Sequence, residues 1–570
     1  MDTHLPKRLI ISFSLIQSIV LTLLYRSAEH EFWPGTSPVW LFSLVTFFIS
    51  FPLLVSLCIT KTNLKDTIKF LLPFSITLSL LGAYVGFQQE PKAFINNSSI
   101  ISVFIFTALI ACFKVLMYVQ QYIDNKRFSY SSLVELSWQN FIVFSFSCLF
   151  IGALWGILNL GASLFAVLEI NFFKELLEKD WFVIPVLNIA FGFAVFIFRK
   201  IIHTVETVST MLQTLLNFML PTLTVISLGF LVTLPFTGLS SLWKTGSGSL
   251  LILWLQALTL FCVNAVYQYG SGHKPYSPLI HRLIFIGVAL LPIYSLISAY
   301  GLWLRIEQYG LTVDRCWAIL VWSVLTSFSF GYLIGIIKKR DAWLETLGSV
   351  NIAMGFFVLT LMLLVNSPVL NFQQISANSQ IARLDEGKVN FEEFDYYYFG
   401  YALGRQGYLK LQTLINESKT LPKEHIAIIE RMYINHKLAN KNRSFTNFES
   451  LITYWPSKES IPADLVKSFY ERETQYEWSI YQTKDYYLIA IDLDDDAKPE
   501  FIAIEESNEL TNADMWVIEH GQWVAKYMTT SNSGKDNYIK ELIKSGQIET
   551  VKPKWKNIKI GNLELKSPND

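Results

Sequence analysis

Apolar residues run through the first two thirds of the chain in eleven long stretches. A helix of about 18 or more such residues spans the bilayer core of about 30 Å, because each residue adds about 1.5 Å. We expect membrane helices at 9–25, 38–60, 69–88, 99–121, 137–160, 181–198, 211–235, 248–268, 280–303, 315–337 and 347–366. Residues 1–366 are therefore predicted to form an all-α polytopic membrane domain.

The composition of the sequence changes after residue 366, where the long apolar stretches end. We expect helices at 376–386, 391–418, 423–439 and 462–472, with an interruption near Gly404, and a short helix at 535–544. Aromatic and β-branched runs separated by turn formers predict strands at 476–482, 486–492, 500–505, 515–520 and 523–528. The pattern predicts an α+β soluble domain, helical over 367–475 and mainly β over 476–570.

The gaps between the apolar stretches differ in charge. One alternating set holds fourteen lysine and arginine residues and the other holds seven, together with most of the acidic residues of the gaps. Basic residues are retained on the cytoplasmic side of membrane proteins. This asymmetry predicts a cytoplasmic N-terminus, and eleven crossings then place the C-terminal domain on the opposite side.

Composition agrees with a membrane protein. Hydrophobic residues make up 52% of the chain and charged residues 16%, against about 25% charged in soluble proteins. No basic patch interleaved with aromatic residues is present in the sequence, so we expect no nucleic-acid partner. The five cysteines lie in or beside the apolar stretches and are interpreted as packing residues: Cys58, Cys112, Cys148, Cys262 and Cys316.

The gap at 161–180 is longer than most and is patterned. Leu164, Leu168, Phe172 and Leu176 recur at every fourth position. This spacing predicts an amphipathic helix lying in the membrane interface. A plain extramembrane loop is the alternative.

Several short motifs resemble those of a known family. They are residues 31–34 (EFWP), 304–312 (LRIEQYGLT), 366–370 (NSPVL), 380–384 (QIARL) and 401–405 (YALGR). Together they resemble an uncharacterised family of bacterial multi-pass inner-membrane proteins, known only as a domain of unknown function, over about residues 10–415. The resemblance implies a location in the bacterial inner membrane. Combined with the orientation expected from the loop charges, this location places the C-terminal domain in the periplasm. It implies no activity and transfers no functional residue.

An acidic loop between two predicted strands is a candidate metal site. Asp492, Asp494, Asp496 and Glu500 occupy positions 1, 3, 5 and 9, and the carbonyl of Lys498 adds an oxygen. Several converging oxygens suit a calcium ion, here in a structural role. The alternative is a solvated acidic turn, because the positions at which glycine would ease the turn hold other residues.

The first gap on the far side carries candidate catalytic groups. Glu29 and Glu31 flank His30, and carboxylates beside a histidine can perform general acid–base chemistry. The position resembles the acidic loop of C-type glycosyltransferases, which implies a lipid-linked, polyprenyl-phosphate sugar transferase. The alternative is an ordinary interface anchor.

The loop at 305–315 is a candidate anion site. Arg305 and Arg315 lie at its two ends, and arginine suits a lipid phosphate or polyprenyl phosphate. Alternatively, the arginines pair with Glu307 and Asp314 and hold two helices together.

These features rank three functional hypotheses without deciding whether the protein is an enzyme. The first is a non-enzymatic envelope protein whose membrane part anchors or binds lipid and whose outer domain binds a partner or ligand. The second is a lipid-linked glycosyltransferase-like enzyme. The third is a transporter, for which Lys114 and Glu206 are the membrane residues to test.

Overall fold

A computed structural model describes most of the chain. In the first part it covers residues 5–417 except 93, 96, 169, 240–247 and 269–274. Beyond that it covers residues 421–422, 425–426, 429, 433, 445–449, 452–474, 484–493, 498–507, 511–519, 522–528, 543, 546, 548, 558–560 and 563–565. The chain divides into two compact units, residues 1–91 with 95–419, and residues 92–94 with 420–570.

Eleven helices among the described residues are long and apolar enough to cross a membrane. With the short α6 they are α1 (Lys7–Glu29), α2 (Pro38–Cys58), α3 (Leu64–Phe87), α4 (Ser98–Asn125), α5 (Tyr130–Val167), α6 (Phe172–Leu177), α7 (Asp180–Lys200), α8 (Ile202–Thr237), α9 (Gly248–Val266), α10 (Pro278–Tyr309), α11 (Val313–Lys339) and α12 (Leu344–Leu364). The prediction of an all-α polytopic membrane domain is confirmed.

Helix α5 departs furthest from the prediction. It begins at Tyr130, before the apolar run, and continues to Val167, so that Leu164 belongs to it. Only Phe172–Leu177 forms a separate short helix in this gap. The prediction of one amphipathic helix over the gap is therefore wrong. The run that follows Leu160 contains no proline, so nothing stops α5 at the end of its membrane-spanning part.

The two largest apolar cores among the described residues lie between the membrane helices. One core is formed by α8 to α12 and includes Leu253, Leu291 and Leu347. The other joins α1 to α4 with α7 and includes Val55 and Leu116. Helix α12 packs against α4 and connects the two groups.

Polar side chains link the helices inside the first core. The Nε2 of Gln256 in α9 donates to the Oγ of Ser295 in α10 and to the Oγ of Ser329 in α11, each at 2.7 Å. All three side chains are buried. Since lipid offers no hydrogen-bond partners, such contacts fix the rotation of the three helices relative to each other.

The first compact unit continues past the last membrane helix. It contains a 3₁₀ turn at Pro368–Leu370, α13 (Phe372–Asp385), a π-helical turn at Tyr398–Ala402 and α14 (Gly404–Glu417). These elements therefore belong to the same compact unit as the membrane helices, although the composition changes at residue 366.

The second unit is built on a five-stranded sheet. It contains α15 (Phe445–Glu449), β1 (Ile452–Trp455), α16 (Ala463–Thr474), β2 (Lys484–Ile491), β3 (Glu500–Ser507), β4 (Thr511–Glu519), β5 (Gln522–Met528) and a separate pair, β6 (Ile558–Ile560) and β7 (Leu563–Leu565). The strands follow sequence order; β1 is parallel to β2, and the other neighbours in the sheet are antiparallel. The prediction of an α+β domain is confirmed.

Some predicted elements of this unit differ or lie outside the description. Residues 452–455 were expected in a helical segment, and that expectation is wrong, because these β-branched and aromatic residues pair with β2. The strand predicted at 476–482 lies outside the described residues. So do most of the helices predicted at 423–439 and 535–544.

Both faces of the sheet are covered. On one face Leu488 and Trp516 pack against Phe469 of α16. On the other, Tyr487 and Ile489 pack with Ile543. Alternate residues of β2 point to opposite faces, so one strand contributes to both cores.

Candidate functional site

Arg305 and Arg315 lie at one end of a groove of about 810 Å³ between α9, α10 and α11. We call this the arginine groove. Its lining consists of Ser249, Leu250, Leu253, Trp254, Ala257, Leu302, Arg305, Asp314, Arg315, Trp317, Ala318 and Val321. The structure therefore brings together the two arginines that the sequence suggested as an anion site.

The two guanidinium groups share one aromatic ring. Arg305 lies 5.8 Å and Arg315 5.3 Å from the ring centroid of Tyr309, the last residue of α10. Cation–π contacts of this kind hold arginine side chains in place while leaving their N–H groups available for hydrogen bonds. The tyrosine ring thus orients both charges at the same end of the groove.

The hydrogen-bond partners of the Arg315 side chain are backbone carbonyl groups. Its Nη1 donates to the carbonyl oxygen of Gly310 at 2.8 Å and approaches that of Tyr309 at 3.4 Å. Among the described residues Arg315 has no carboxylate partner within 4 Å. One carboxylate, Asp314, also lines the groove, so the charged residues in the described part of the lining are two arginines and one aspartate.

The remaining lining is apolar and accessible. Leu250 and Trp254 of α9 are 57% and 60% exposed, in a helix long and apolar enough to cross a membrane. A cleft with an apolar wall and a few charged groups at one end is the usual form of a site for an amphiphile. The arginines suit a phosphate, and the wall suits hydrocarbon.

Helix α13 holds the turn between α10 and α11 that carries this site. Arg383 donates to the carbonyl oxygens of Glu307 and Gln308, at 3.2 and 2.7 Å. Gln380 donates to that of Leu311 at 3.0 Å. These contacts satisfy carbonyl groups that the end of α10 leaves without helical partners.

The start of α11 is held by Tyr398. The N–H of Val313 donates to the Tyr398 hydroxyl at 2.9 Å, and the hydroxyl of Ser376 lies 2.9 Å from it. Burial raises the pKa of Tyr398, so its hydroxyl stays protonated at neutral pH. The hydroxyl can therefore accept one hydrogen bond and donate another.

Asn97 makes a second connection between the membrane helices and the segment after them. Its Oδ1 accepts the N–H groups of Ser99 and Ile100 and caps α4. Its Nδ2 donates to the carbonyl oxygens of Tyr401 and Ala402, both at 3.1 Å. One side chain thus links the start of α4 to the π-helical turn.

Arg405 reinforces the same contact. It donates to the carbonyl oxygen of Glu90 at 2.6 Å and stacks 4.1 Å from the ring centroid of Phe87. Sequence alone indicates no specific role for Arg383, Asn97, Tyr398 or Arg405. The signal was present, because Arg383 and Arg405 lie in two of the motifs that carry the family resemblance.

A separate cavity lies around Lys114. It has a volume of about 260 Å³ and is lined by residues of α4, α5, α9, α11 and α12. We call it the lysine cavity. Glu206, the other residue suggested for transport, lies in α8, and its side chain is outside the description.

The candidate catalytic carboxylates lie elsewhere. Glu29 ends α1 and Glu31 follows it, and both are exposed. The Glu29 carboxylate lies 3.9 Å from the Nε2 of His30. Helix α1 packs mainly against α7 and α2, whereas the arginine groove is built by α9 to α11, so the two candidate sites belong to different helix groups.

The candidate calcium loop is only partly described. Asp494 and Asp496 lie outside the described residues. The carboxylate of Glu500 accepts the N–H of Leu493 at 2.7 Å, which closes the hairpin between β2 and β3. Calcium binding by Asp492, Asp494, Asp496, Lys498 and Glu500 stays a prediction.

Comparison with known proteins agrees with the motifs. No curated protein and no solved structure matches the chain. A family model described as a domain of unknown function, DUF4153, matches residues 14–414. This stretch contains all the membrane helices except the start of α1, together with α13 and most of α14. The chain, with eleven helices among its described residues that are long and apolar enough to cross a membrane, belongs to the DUF4153 family.

Proposed function

We propose that this protein is a bacterial inner-membrane protein that binds an anionic, phosphate-headed lipid in the arginine groove. The observation that carries the proposal is the position of Arg305 and Arg315 at one end of an apolar groove open along three membrane helices. Phosphate oxygens accept hydrogen bonds from the guanidinium groups, while the acyl or prenyl chain lies against Leu250 and Trp254.

The contacts around the arginine groove favour a role in binding rather than in catalysis. Tyr309 orients both arginines, and Gln380 and Arg383 fix the turn from the other side. A site held in this way is preorganised, which lowers the ordering cost of binding. In this proposal the membrane part anchors the protein and holds the lipid, and the C-terminal domain binds a partner or ligand in the periplasm.

Lipid retention measured by native mass spectrometry tests the proposal. Purified protein is incubated with phosphatidylglycerol, a polyprenyl phosphate or zwitterionic phosphatidylcholine. We expect the wild type to retain the two anionic lipids preferentially. Arg305→Gln and Arg315→Gln should each weaken retention about tenfold, the loss expected when one charged hydrogen bond is removed.

Arg282→Gln is the matched control. Arg282 is the fifth residue of α10, at the other end of the helix from Arg305, and is exposed. The Arg282→Gln substitution removes one positive charge from the same helix as Arg305→Gln does, and it should leave lipid retention unchanged. Equal retention of all three lipids by the wild type and the double variant Arg305→Gln/Arg315→Gln would refute the proposal.

The orientation rests on the loop charges and has its own test. A reporter that is active only outside the cytoplasm, fused after residue 570, should be active. The same reporter fused within the connection between α4 and α5 should be inactive, because Lys126 and Arg127 mark that connection as cytoplasmic. The reverse result would invert the proposed topology.

A further inference from the structure

The lysine cavity contains a charged residue, Lys114, that is not part of the arginine groove. Lys114 lies in the interior of α4, eleven residues before its last residue, Asn125, and its side chain is partly buried. It makes no hydrogen bond, ion pair or cation–π contact with any residue within the described part of the chain. A lysine inside a membrane domain normally has a partner, because an ammonium group is poorly solvated there.

Three polar residues of the lining, Tyr130, Asn264 and Asn351, are joined in one network with Tyr332, which lies beside the cavity. The Nδ2 of Asn351 donates to the Oδ1 of Asn264 at 2.7 Å. The hydroxyl of Tyr332 lies 2.5 Å from the same oxygen and also contacts the Oδ1 of Asn351, so the two amide oxygens share its single proton. The hydroxyl of Tyr130 donates to the carbonyl oxygen of Asn264 at 3.1 Å. This network occupies the oxygen atoms of both amide side chains.

A donor remains on Asn264. Its Nδ2 makes no hydrogen bond with any residue that the structure describes, and Asn264 lines the same cavity as Lys114. Among the residues that the structure describes, the lining includes no aspartate or glutamate. The polar groups thus present a positive charge and an amide donor without an acceptor of opposite charge.

We propose that the lysine cavity is a second anion site, which binds a phosphate group through Lys114 and Asn264. Lysine binds phosphate as a point charge, and an amide N–H adds direction. The apolar part of the lining, including Phe261 and Met354, accommodates a chain attached to the phosphate. The phosphate comes either from a lipid or from solution.

The site is separate from the arginine groove. Arg315 lies in the first turn of α11, whereas the cavity meets this helix at Phe328. About thirteen residues of helix separate them, which is about 20 Å at the usual rise. The inference therefore does not rest on the lipid site proposed above.

The experiment uses the full-length protein carrying Arg305→Gln and Arg315→Gln, so that binding in the arginine groove does not contribute. In one arm it is incubated with phosphatidic acid or, for comparison, phosphatidylcholine, and retention is read by native mass spectrometry. In the other arm inorganic phosphate is titrated against the protein in detergent, with calorimetry as the readout. Lys114→Met and Lys114→Arg are compared in both arms.

We expect Lys114→Met to weaken phosphate-group binding about tenfold or more and Lys114→Arg to retain it. Binding confined to phosphatidic acid identifies a lipid phosphate, and binding of inorganic phosphate identifies a soluble source; either result supports the site. Binding by Lys114→Met that equals that of the parent in both arms overturns it, as does absence of binding by the parent.

Two further variants test whether a loss of binding comes from the cavity itself or from misfolding. Ser137→Phe keeps Lys114 but narrows the cavity, since Ser137 is part of its lining; it should weaken binding of phosphatidic acid. Lys65→Met removes an exposed lysine in the first turn of α3 and should change nothing. If Ser137→Phe, folded by its elution profile and thermal transition, binds phosphatidic acid as the parent does, the cavity is not the site.

Discussion

The backbone of Gly310 lies directly against the side chain of Arg383. A Cβ atom built on Gly310 would stand 2.5 Å from the Cδ of Arg383, closer than real Cβ contacts allow. Gly310 also has φ +72°, in the left-handed region. The turn between α10 and α11 therefore needs glycine for two independent reasons, its backbone conformation and the approach of α13.

The first prediction separates these two reasons. Gly310→Ala should destabilise the protein by about 2–4 kcal/mol, combining the left-handed backbone cost of about 1–2 kcal/mol with overpacking against Arg383. Gly387→Ala is the matched control, because Gly387 has φ +69° and nothing within 4 Å of its Cβ position. Gly387→Ala should destabilise the protein only by the left-handed backbone cost of about 1–2 kcal/mol.

Thermal unfolding in detergent, followed by circular dichroism, measures both variants. Equal losses in the two would show that the contact with Arg383 contributes nothing. Lipid retention by Gly310→Ala is a second readout, because the same turn carries Tyr309 and both arginines of the groove.

The membrane helices could be predicted from sequence because lipid leaves few alternatives. Every backbone group in the bilayer core needs a partner within the segment, so a long apolar run can only be a helix. Where helices leave the membrane this constraint ends. Tyr130 and Ser131 begin α5 ahead of its apolar run, and the sequence gives no composition signal for that extension.

The candidate sites were only partly predictable for a different reason. Arg305 and Arg315 could be identified from one short loop, whereas the groove also needs Leu250 and Trp254 from a helix about fifty residues earlier in the chain. The bonds of Asn97 to the π-helical turn span 304 and 305 positions. No local pattern contains such pairings, because they depend on how the helices are arranged.

The second prediction concerns the two roles of Asn97. Asn97→Ser keeps an oxygen that can cap α4 but removes the donors to Tyr401 and Ala402, and should cost about 1–2 kcal/mol. Asn97→Asp also keeps the cap, but it places a carboxylate against two carbonyl oxygens, so we expect a larger loss.

The order of the two variants is the test, measured as thermal midpoints at neutral pH. If Asn97→Asp were as stable as the wild type, the donation from Nδ2 would not stabilise the contact. Limited proteolysis gives a second readout, since a weakened contact should expose the segment around residue 401 to cleavage before the membrane helices unfold.

The third prediction uses an ion pair in the second unit. Arg472 of α16 donates to the Oδ2 of Asp514 in β4 at 2.8 Å. The aspartate side chain is 6% exposed and that of the arginine 39%. Because a buried charge without a partner is more costly than a half-exposed one, the two single substitutions should differ.

We expect Arg472→Gln to cost about 3 kcal/mol, because it leaves the Asp514 carboxylate buried without its partner. Asp514→Asn should cost less, about 1–2 kcal/mol, since the Arg472 guanidinium can turn toward water. Calorimetric unfolding of the full-length variants compares them. A larger loss for Asp514→Asn would contradict the argument.

The fourth prediction is a pH dependence in the same unit. The Nε1 of Trp523 donates to a carboxylate oxygen of Asp464 at 2.9 Å, and this hydrogen bond lowers the pKa of Asp464 below its ordinary value. A carboxyl group whose pKa is lower in the folded state stabilises the fold above the unfolded pKa of about 3.9. That contribution is lost as the pH falls through the lowered folded pKa.

Asp464→Asn should therefore be less stable than the wild type at pH 7 and at pH 5, by the same margin. The margin should shrink below about pH 4 and vanish once Asp464 is protonated in the folded protein as well. Unfolding midpoints at pH 7, 5, 4 and 3 measure it. Trp523→Phe is the control: it also loses packing against the ring of Phe501, 5.6 Å away, but that loss does not depend on pH. Backbone N–H groups of Asp464 and Leu465 also lower this pKa, so in the Trp523→Phe background the effect of Asp464→Asn should change less over this range than in the wild type. A margin that stays constant in the wild-type background, or grows as the pH falls, would show that the hydrogen bond does not favour the charged carboxylate.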